Sequence, residues 1–215
     1  MPQIKIICLT NGAFQENAYI LADEDAAVAV LVDPGEEAEL FLRRLDTEGL
    51  TLEAIWLTHA HIDHIMGVGT IVERMGVPVF LHPADQPLYD RAEDQGSWLG
   101  VSAAVPPPPD HTLADGDTLT VGGLSLEVRS VPGHSPGSVA FVGHGVALVG
   151  DALFAGSVGR TDLPGGDMQT LLDAIREQLL TLPDDTLIYP GHGPETTIGR
   201  ERATNPFLTG AVPLG

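Results

Sequence analysis

The sequence predicts an α+β protein in which two β-sheets pack face to face and helices lie outside them. Short β-rich apolar runs alternate with amphipathic helical patterns. That alternation occurs twice, in two halves that each begin with strands and end in a helix and a strand. Of 215 residues 43% are apolar and 19% charged, the composition of a folded chain with one buried core. The predicted arrangement is a single domain over residues 1–215, since no repeat or linker marks a second one.

Residues 3–9, 17–21 and 27–32 read as consecutive strands, the third ended by Asp33-Pro34-Gly35. A helix follows over 36–48, with Ala38, Leu40, Phe41 and Leu45 at helical spacing and acids in its first turn. A buried-type strand at 52–57 runs directly into a histidine cluster. Ile65, Val68, Ile71, Val72 and Met75 then lie on one face of a helix over 63–75, and 77–81 returns as a strand. The segment 84–111 stands apart as a loop or lid, with the stiff stretch 106–109 and an exposed Trp98. Strands follow at 118–121, 124–131, 138–142 and 146–149. The helix at 168–182 is the clearest, because Met168, Leu171, Leu172, Ile175 and Leu179 form one stripe. A last strand at 186–189 precedes a short basic helical segment around 200–203.

The formal charge is −20, from 30 acidic and 10 basic residues with histidine neutral. Nucleic-acid affinity rests on lysine and arginine neutralising phosphates, so a long polyanion is excluded as partner, and an anionic membrane surface with it. The longest apolar runs, such as 26–32, fall far short of a membrane span. One cysteine, Cys8, precludes an intramolecular disulfide and fits a reducing compartment. The N-terminus has neither a basic region nor a small-residue cleavage site, so the expected location is cytoplasmic. Cys8 itself, in the first strand, reads as a buried apolar residue.

Three of the eight histidines fall within His59-Ala60-His61-Ile62-Asp63-His64, at the end of an apolar strand and before an amphipathic helix. Their side chains project from a loop held on both sides by core elements. His59 and His61 can converge on one ion while Asp63 and His64 point to a second position. Imidazole and carboxylate suit zinc, iron or manganese. His134, Asp151 and His192 each stand just past a predicted strand and directly after a glycine. Singly, each is an ordinary polar turn residue; together with the cluster they make a metal site. His82, His111 and His144 read as surface or turn histidines.

These motifs resemble the metallo-β-lactamase superfamily over nearly the whole chain. The stretches Gly133-His134-Ser135-Pro136-Gly137, Gly150-Asp151-Ala152-Leu153-Phe154, Gly159-Arg160-Thr161-Asp162 and Pro190-Gly191-His192-Gly193 are similar to the glyoxalase II group. That group includes short forms without the C-terminal helical domain, and this chain carries little sequence beyond His192. The resemblance implies a four-layer αβ/βα sandwich with two divalent ions, zinc first and iron or manganese as alternatives, at the sheet edges. It assigns His59, His61 and His134 to one ion, Asp63, His64 and His192 to the other, and Asp151 to both. It implies hydrolysis of hydroxyacylglutathione thioesters by a hydroxide bridging the ions, with Asp63 orienting or deprotonating the water.

The implied partner is a small anionic thiol-derived substrate such as a glutathione thioester, and Arg160 matches the family's basic substrate contact. Asp162 replaces the aromatic residue expected two positions later, so Arg160 has an ion pair with Asp162 as its competing role. The missing C-terminal domain predicts an open site with weaker or broader thioester recognition. The main rival is a persulfide dioxygenase with a single iron, a related group that shares the 159–162 motif and retains the same ligand types. Ser157-Val158 stands where those dioxygenases have a Cys-Gly-containing turn, which favours the hydrolase.

Overall fold

The protein is described here by a computed structural model covering residues 3–212. The first sheet has the order β1 (Ile4–Asn11), β2 (Glu16–Asp23), β3 (Val28–Val32), β4 (Thr51–Trp56), β5 (Val79–Leu81) and β6 (His111–Thr112). Its first three strands run antiparallel, and β3 to β6 run parallel. The parallel pairings need crossovers, which α1 (Ala38–Glu48), α2 (Ile62–Ile65), α3 (Val68–Met75), α4 (Gln86–Tyr89) and α5 (Ala92–Leu99) supply.

The second sheet contains β7 (Thr118–Val121), β8 (Leu124–Ser130), β9 (Val139–Gly143) and β10 (Val146–Gly150). A small hairpin of β11 (Leu153–Phe154) and β12 (Ser157–Val158) follows, then α6 (Met168–Ala174). The chain closes with β13 (Leu187–Pro190), β14 (Thr196–Thr197) and α7 (Ile198–Thr204), so the second sheet reads β14-β13-β10-β9-β8-β7.

Period-two alternation assembles four layers. In β2, Ala18, Ile20 and Ala22 face the cluster containing Phe41 and Leu45 of α1 and Ile71 of α3. Tyr19 and Leu21 point the other way, into a layer between the sheets with Trp56, Leu126, Phe141 and Leu148. In β9, Phe141 faces that middle layer, whereas Ala140 and Val142 meet Leu171 and Leu172 of α6. Strands buried on both faces read as near-continuous apolar runs, as β10 and the middle of β2, residues 18–22, do. Each fully buried Leu, Ile or Phe contributes about 1.5–3 kcal/mol relative to exposure.

Four expectations change. The helix expected over 63–75 is broken at Met66-Gly67, where the Gly67 amide donates to Pro34 O at 3.0 Å and a Cβ would lie 2.5 Å from Gly35 O. Apolar periodicity runs through that break because both pieces pack on the same layer. The segment 84–111 is not a plain loop, since it contains α4 and α5. Its proline stretch lies against α3, with Pro106 and Pro107 beside Gly69 and Pro107 O accepting from Tyr89 Oη at 2.8 Å. The helix over 168–182 turns into a π-helical segment at Ile175–Leu179. Cys8 is exposed, because in β1 it is the neighbour Ile7 that faces the core. Among the described residues no helix is long and apolar enough to cross a membrane.

Candidate metal centre

In each sheet the strands that precede the site share one direction, so their C-terminal ends deliver side chains to one edge. Asp33 leaves β3, residues 58–64 leave β4, His134 follows β8, Asp151 follows β10, and His192 follows β13. Two backbone bonds join the sheets there: Val139 N donates to Thr58 O at 2.8 Å, and Asn17 N to Gly191 O at 2.7 Å. Gly150 turns the chain at φ +49, and a Cβ there would sit 2.2 Å from Thr58 Oγ1. Gly191 needs no left-handed backbone; it is required for room, since a Cβ would lie 2.2 Å from Asp151 Oδ1.

All seven residues singled out from the sequence lie together. Donor atoms of His59, His61 and His134 fall within 4.8 Å of one another, and so do those of Asp63, His64 and His192. Asp151 stands between the two groups, with Oδ1 3.4 Å from His64 Nε2 and Oδ2 3.5 Å from His134 Nε2 and 3.7 Å from His192 Nε2. Ring orientation is imposed from behind. His134 Nδ1 donates to Arg160 O at 2.8 Å, His59 Nδ1 meets Thr58 Oγ1 at 3.0 Å, and His64 Nδ1 meets Asp33 Oδ2 at 3.1 Å. Each contact leaves Nε2 aimed at the shared centre.

That centre is under-satisfied by protein alone. Among the described residues, Nε2 of His59, His61 and His64 and Oδ1 of Asp151 are buried without a hydrogen-bond partner. His61 Nδ1 and His134 Nε2 face each other at 2.8 Å. Convergent lone pairs and buried orphan acceptors are what divalent cations satisfy, so the donor set fits metal. Burial, aided by neighbouring imidazoles, holds His59 well below the usual histidine range and His61 down at about 3, so both are neutral and ligand-ready. Burial opposes charge on His64, yet Asp63, Asp151 and Asp33 push it well above that range. Asp63 and Asp151 are held low against burial by His64 and other neighbouring imidazoles, and His192 is raised, against burial, by Asp63 and Asp151.

Four supporting residues escaped the sequence reading. Asp33 accepts from Thr58 N at 2.7 Å and Thr58 Oγ1 at 2.5 Å besides facing His64. A polar residue just past an apolar strand was the signal; Asp33 had it but was read as a turn. Glu16 is buried with Oε2 on Asn11 Nδ2 at 2.6 Å and Oε1 3.8 Å from His64 Nδ1. Asp85 accepts from Ala60 N, Ser135 Oγ and Gly137 N at 2.9, 2.7 and 2.6 Å, tying the His59–His61 loop to the His134 turn. Gln95 accepts from Ile62 N at 3.2 Å and donates to Ala60 O at 3.0 Å and Leu88 O at 2.8 Å. A cavity of about 570 Å³ opens above His61, Asp63, His134, Asp151 and His192, with Arg160 at its wall. His82, His111 and His144 do not line it.

Two stacked sheets with outer helices, and histidines and aspartates converging at one edge, make a four-layer sandwich with a candidate metal centre at the sheet edges. Residues 11–192 match the Metallo-beta-lactamase superfamily, and the chain belongs to that family. It is 42% identical over 203 residues to the probable metallo-hydrolase YqgX of Bacillus subtilis, covering 93% of this chain and 95% of the relative. It is 38% identical over 209 residues to the hydroxyacylglutathione hydrolase GloC of Haemophilus influenzae, covering 95% and 97%. Among solved structures, the BLEG-1 B3 metallo-beta-lactamase superposes with TM-score 0.90 at 42% identity, covering 95% of this chain and 100% of that one. The di-iron-bound form of TTHA1623 gives 0.86 at 45%, covering 94% and 100%. ETHE1 from Myxococcus xanthus gives 0.81 at 29%, covering 96% and 85%. The protein is thus a member of a metallo-hydrolase superfamily whose fold implies divalent metal binding.

Proposed function

We propose that the protein, acting as one domain over residues 1–215, is a metal-dependent thioester hydrolase with hydroxyacylglutathiones among its substrates. The observation that carries this is the pair of donor groups flanking Asp151 at the floor of a substrate-sized cavity. His59, His61 and His134 would hold one ion, Asp63, His64 and His192 the second, with Asp151 shared. Zinc suits these nitrogen and oxygen donors, as do iron and manganese, and the di-iron form of TTHA1623 keeps iron in view. Bound ions would lower the pKa of water from 15.7 to about 7 and polarise the substrate carbonyl.

The chain's own residues do the rest. Asp63, whose Oδ2 lies 3.1 Å from His192 Nε2, would orient the attacking water or take its proton. Hydrolysis adds the water oxygen to the acyl carbon, breaks the C–S bond and releases a carboxylate and a thiol. A thiol pKa near 8.5 lets the sulfur leave without a strong general acid. No cysteine lines the cavity among the described residues, and Cys8 lies in β1. The GloC relationship supports glutathione as carrier. Arg160, which lines the cavity, is the candidate contact for the substrate.

A second reading, oxidation of a glutathione persulfide at a single iron, draws on the sequence of residues 159–162. One experiment separates the two: hydrolysis of S-lactoylglutathione and persulfide-dependent oxygen uptake, measured in parallel on one preparation of known metal content. Thioester loss that a chelator abolishes, without oxygen uptake, is the expected result. Oxygen uptake without thioester hydrolysis would replace the hydrolase with the dioxygenase.

A further inference from the structure

The cavity has a polar floor but apolar walls. Leu88 comes from α4, Trp98 and Leu99 from α5, Phe14 from the β1–β2 turn, and Phe154 and Leu163 from the second half of the chain. Trp98 is 65% exposed and Leu99 54%, two large apolar side chains left in water beside a metal centre. Exposed apolar surface of this kind, contiguous with a cavity, marks a binding surface. The wall is also held in place. Gln95 pins α5 to Ala60 and Ile62, next to the candidate ligands, and the Arg91 guanidinium sits 5.8 Å from the centre of the Trp98 ring.

Recognition of an anion is poorly provided for. Among the described residues lining the cavity, Arg160 is the one lysine or arginine. Its Nε and Nη2 both donate to Asp162, at 2.7 Å each. That pairing holds the Asp162 carboxyl at about 2, so at neutral pH an ionised carboxylate already occupies this face of Arg160. A carboxylate of a glutathione carrier would compete with Asp162 for Arg160, on a chain of net charge −20.

We propose that this cavity selects thioesters bearing an apolar group beside the scissile carbonyl, held by Phe14, Leu88, Trp98, Leu99 and Phe154, with the carrier's carboxylates contributing little. This rests on the hydrolase reading above and specifies its substrate class. The apolar group is either the acyl chain or the thiol's own alkyl part, and the test separates them.

The metal-loaded enzyme is assayed with three series: acetyl to octanoyl thioesters of neutral N-acetylcysteamine, the same acyl groups on glutathione, and thioacetates of lengthening alkanethiols. Expected is a rise in kcat/KM of about three- to fourfold per buried methylene in the acyl or the alkanethiol series. Glutathione thioesters should not exceed their neutral counterparts. Trp98→Ala and Leu99→Ala, both at exposed positions, should flatten the slope, and Asp162→Asn, which frees Arg160, should raise the glutathione series relative to the neutral one. Flat slopes in both lengthening series, or slopes untouched by either wall variant, overturn the proposal while hydrolysis of short glutathione thioesters keeps the hydrolase standing. No hydrolysis in any series overturns the hydrolase reading, and this inference with it.

Discussion

Asp33 acts behind the metal centre rather than in it. It holds the Thr58 amide and hydroxyl and faces His64 Nδ1, so it sets where two neighbouring side chains point. Carboxylates in this position typically account for 10–100-fold in metal affinity. Asp33→Asn should therefore weaken metal binding by roughly that factor in a competitive chelator titration, and unchanged affinity would contradict the assignment. Gly191 makes the complementary point about space. Gly191→Ala puts a methyl against Asp151 Oδ1 and within 2.6 Å of His64 Cε1, so ligands must shift. A displacement of about 1 Å costs on the order of 100-fold in rate, and kcat should fall by that much with the far-UV spectrum intact. At this scale the sequence was legible where a histidine or aspartate past a strand end stood in a cluster or directly after a glycine; Asp33, past β3 but before a Pro-Gly turn, was read as part of that turn. Asp85 was not legible, because its partners Ala60, Ser135 and Gly137 lie 25, 50 and 52 positions away.

The strands were legible as elements because alternation is local, and β7 is found where it was expected. Helices α4 and α5 were not. α5 has a glycine in its middle, and its apolar residues Trp98 and Leu99 face the cavity rather than the core. What anchors α5 is the polar Gln95, whose three bonds reach Ala60, Ile62 and Leu88. Each buried backbone group left without its partner costs about 1–3 kcal/mol, so Gln95→Ala should lower unfolding free energy by at least ~2 kcal/mol in urea. A loss under half a kcal/mol would show that α5 is held some other way.

At the scale of the whole molecule, the charge of −20 and the metal centre pull in opposite directions. The field repels a glutathione thioester, and salt screens it, with a Debye length of about 10 Å at 0.1 M. Raising ionic strength from low to physiological should increase kcat/KM for glutathione thioesters severalfold and leave neutral thioesters unchanged; a fall for the anionic substrate would locate a free cationic contact instead. Metal also belongs to stability. At a free ion concentration 1,000 times Kd, binding adds about 4 kcal/mol, which for a chain of this size corresponds to roughly 8–16 °C in Tm. Chelation should lower Tm by that interval, as scanning calorimetry would measure; an unshifted Tm would mean the folded and unfolded chains bind metal equally.

By itself the sequence carried the alternating elements and the seven candidate ligands, because apolar alternation, glycine turns and ligand-type residues at strand ends are signals held within a few neighbouring positions, and the family resemblance of its motifs supplied the layered sandwich. Only the tertiary structure decided how the ligands are aimed, since Asp33, Asp85 and Gln95 act across 25 to 52 positions of chain through loops that meet only when the sheets stack. It also decided what surrounds them. The segment 84–111, unassigned from its composition, became the apolar wall through α4 and α5, and Arg160, matched to a substrate contact, is engaged by Asp162. Chemistry of the centre is written locally in residue types, whereas the cavity above it is made by packing.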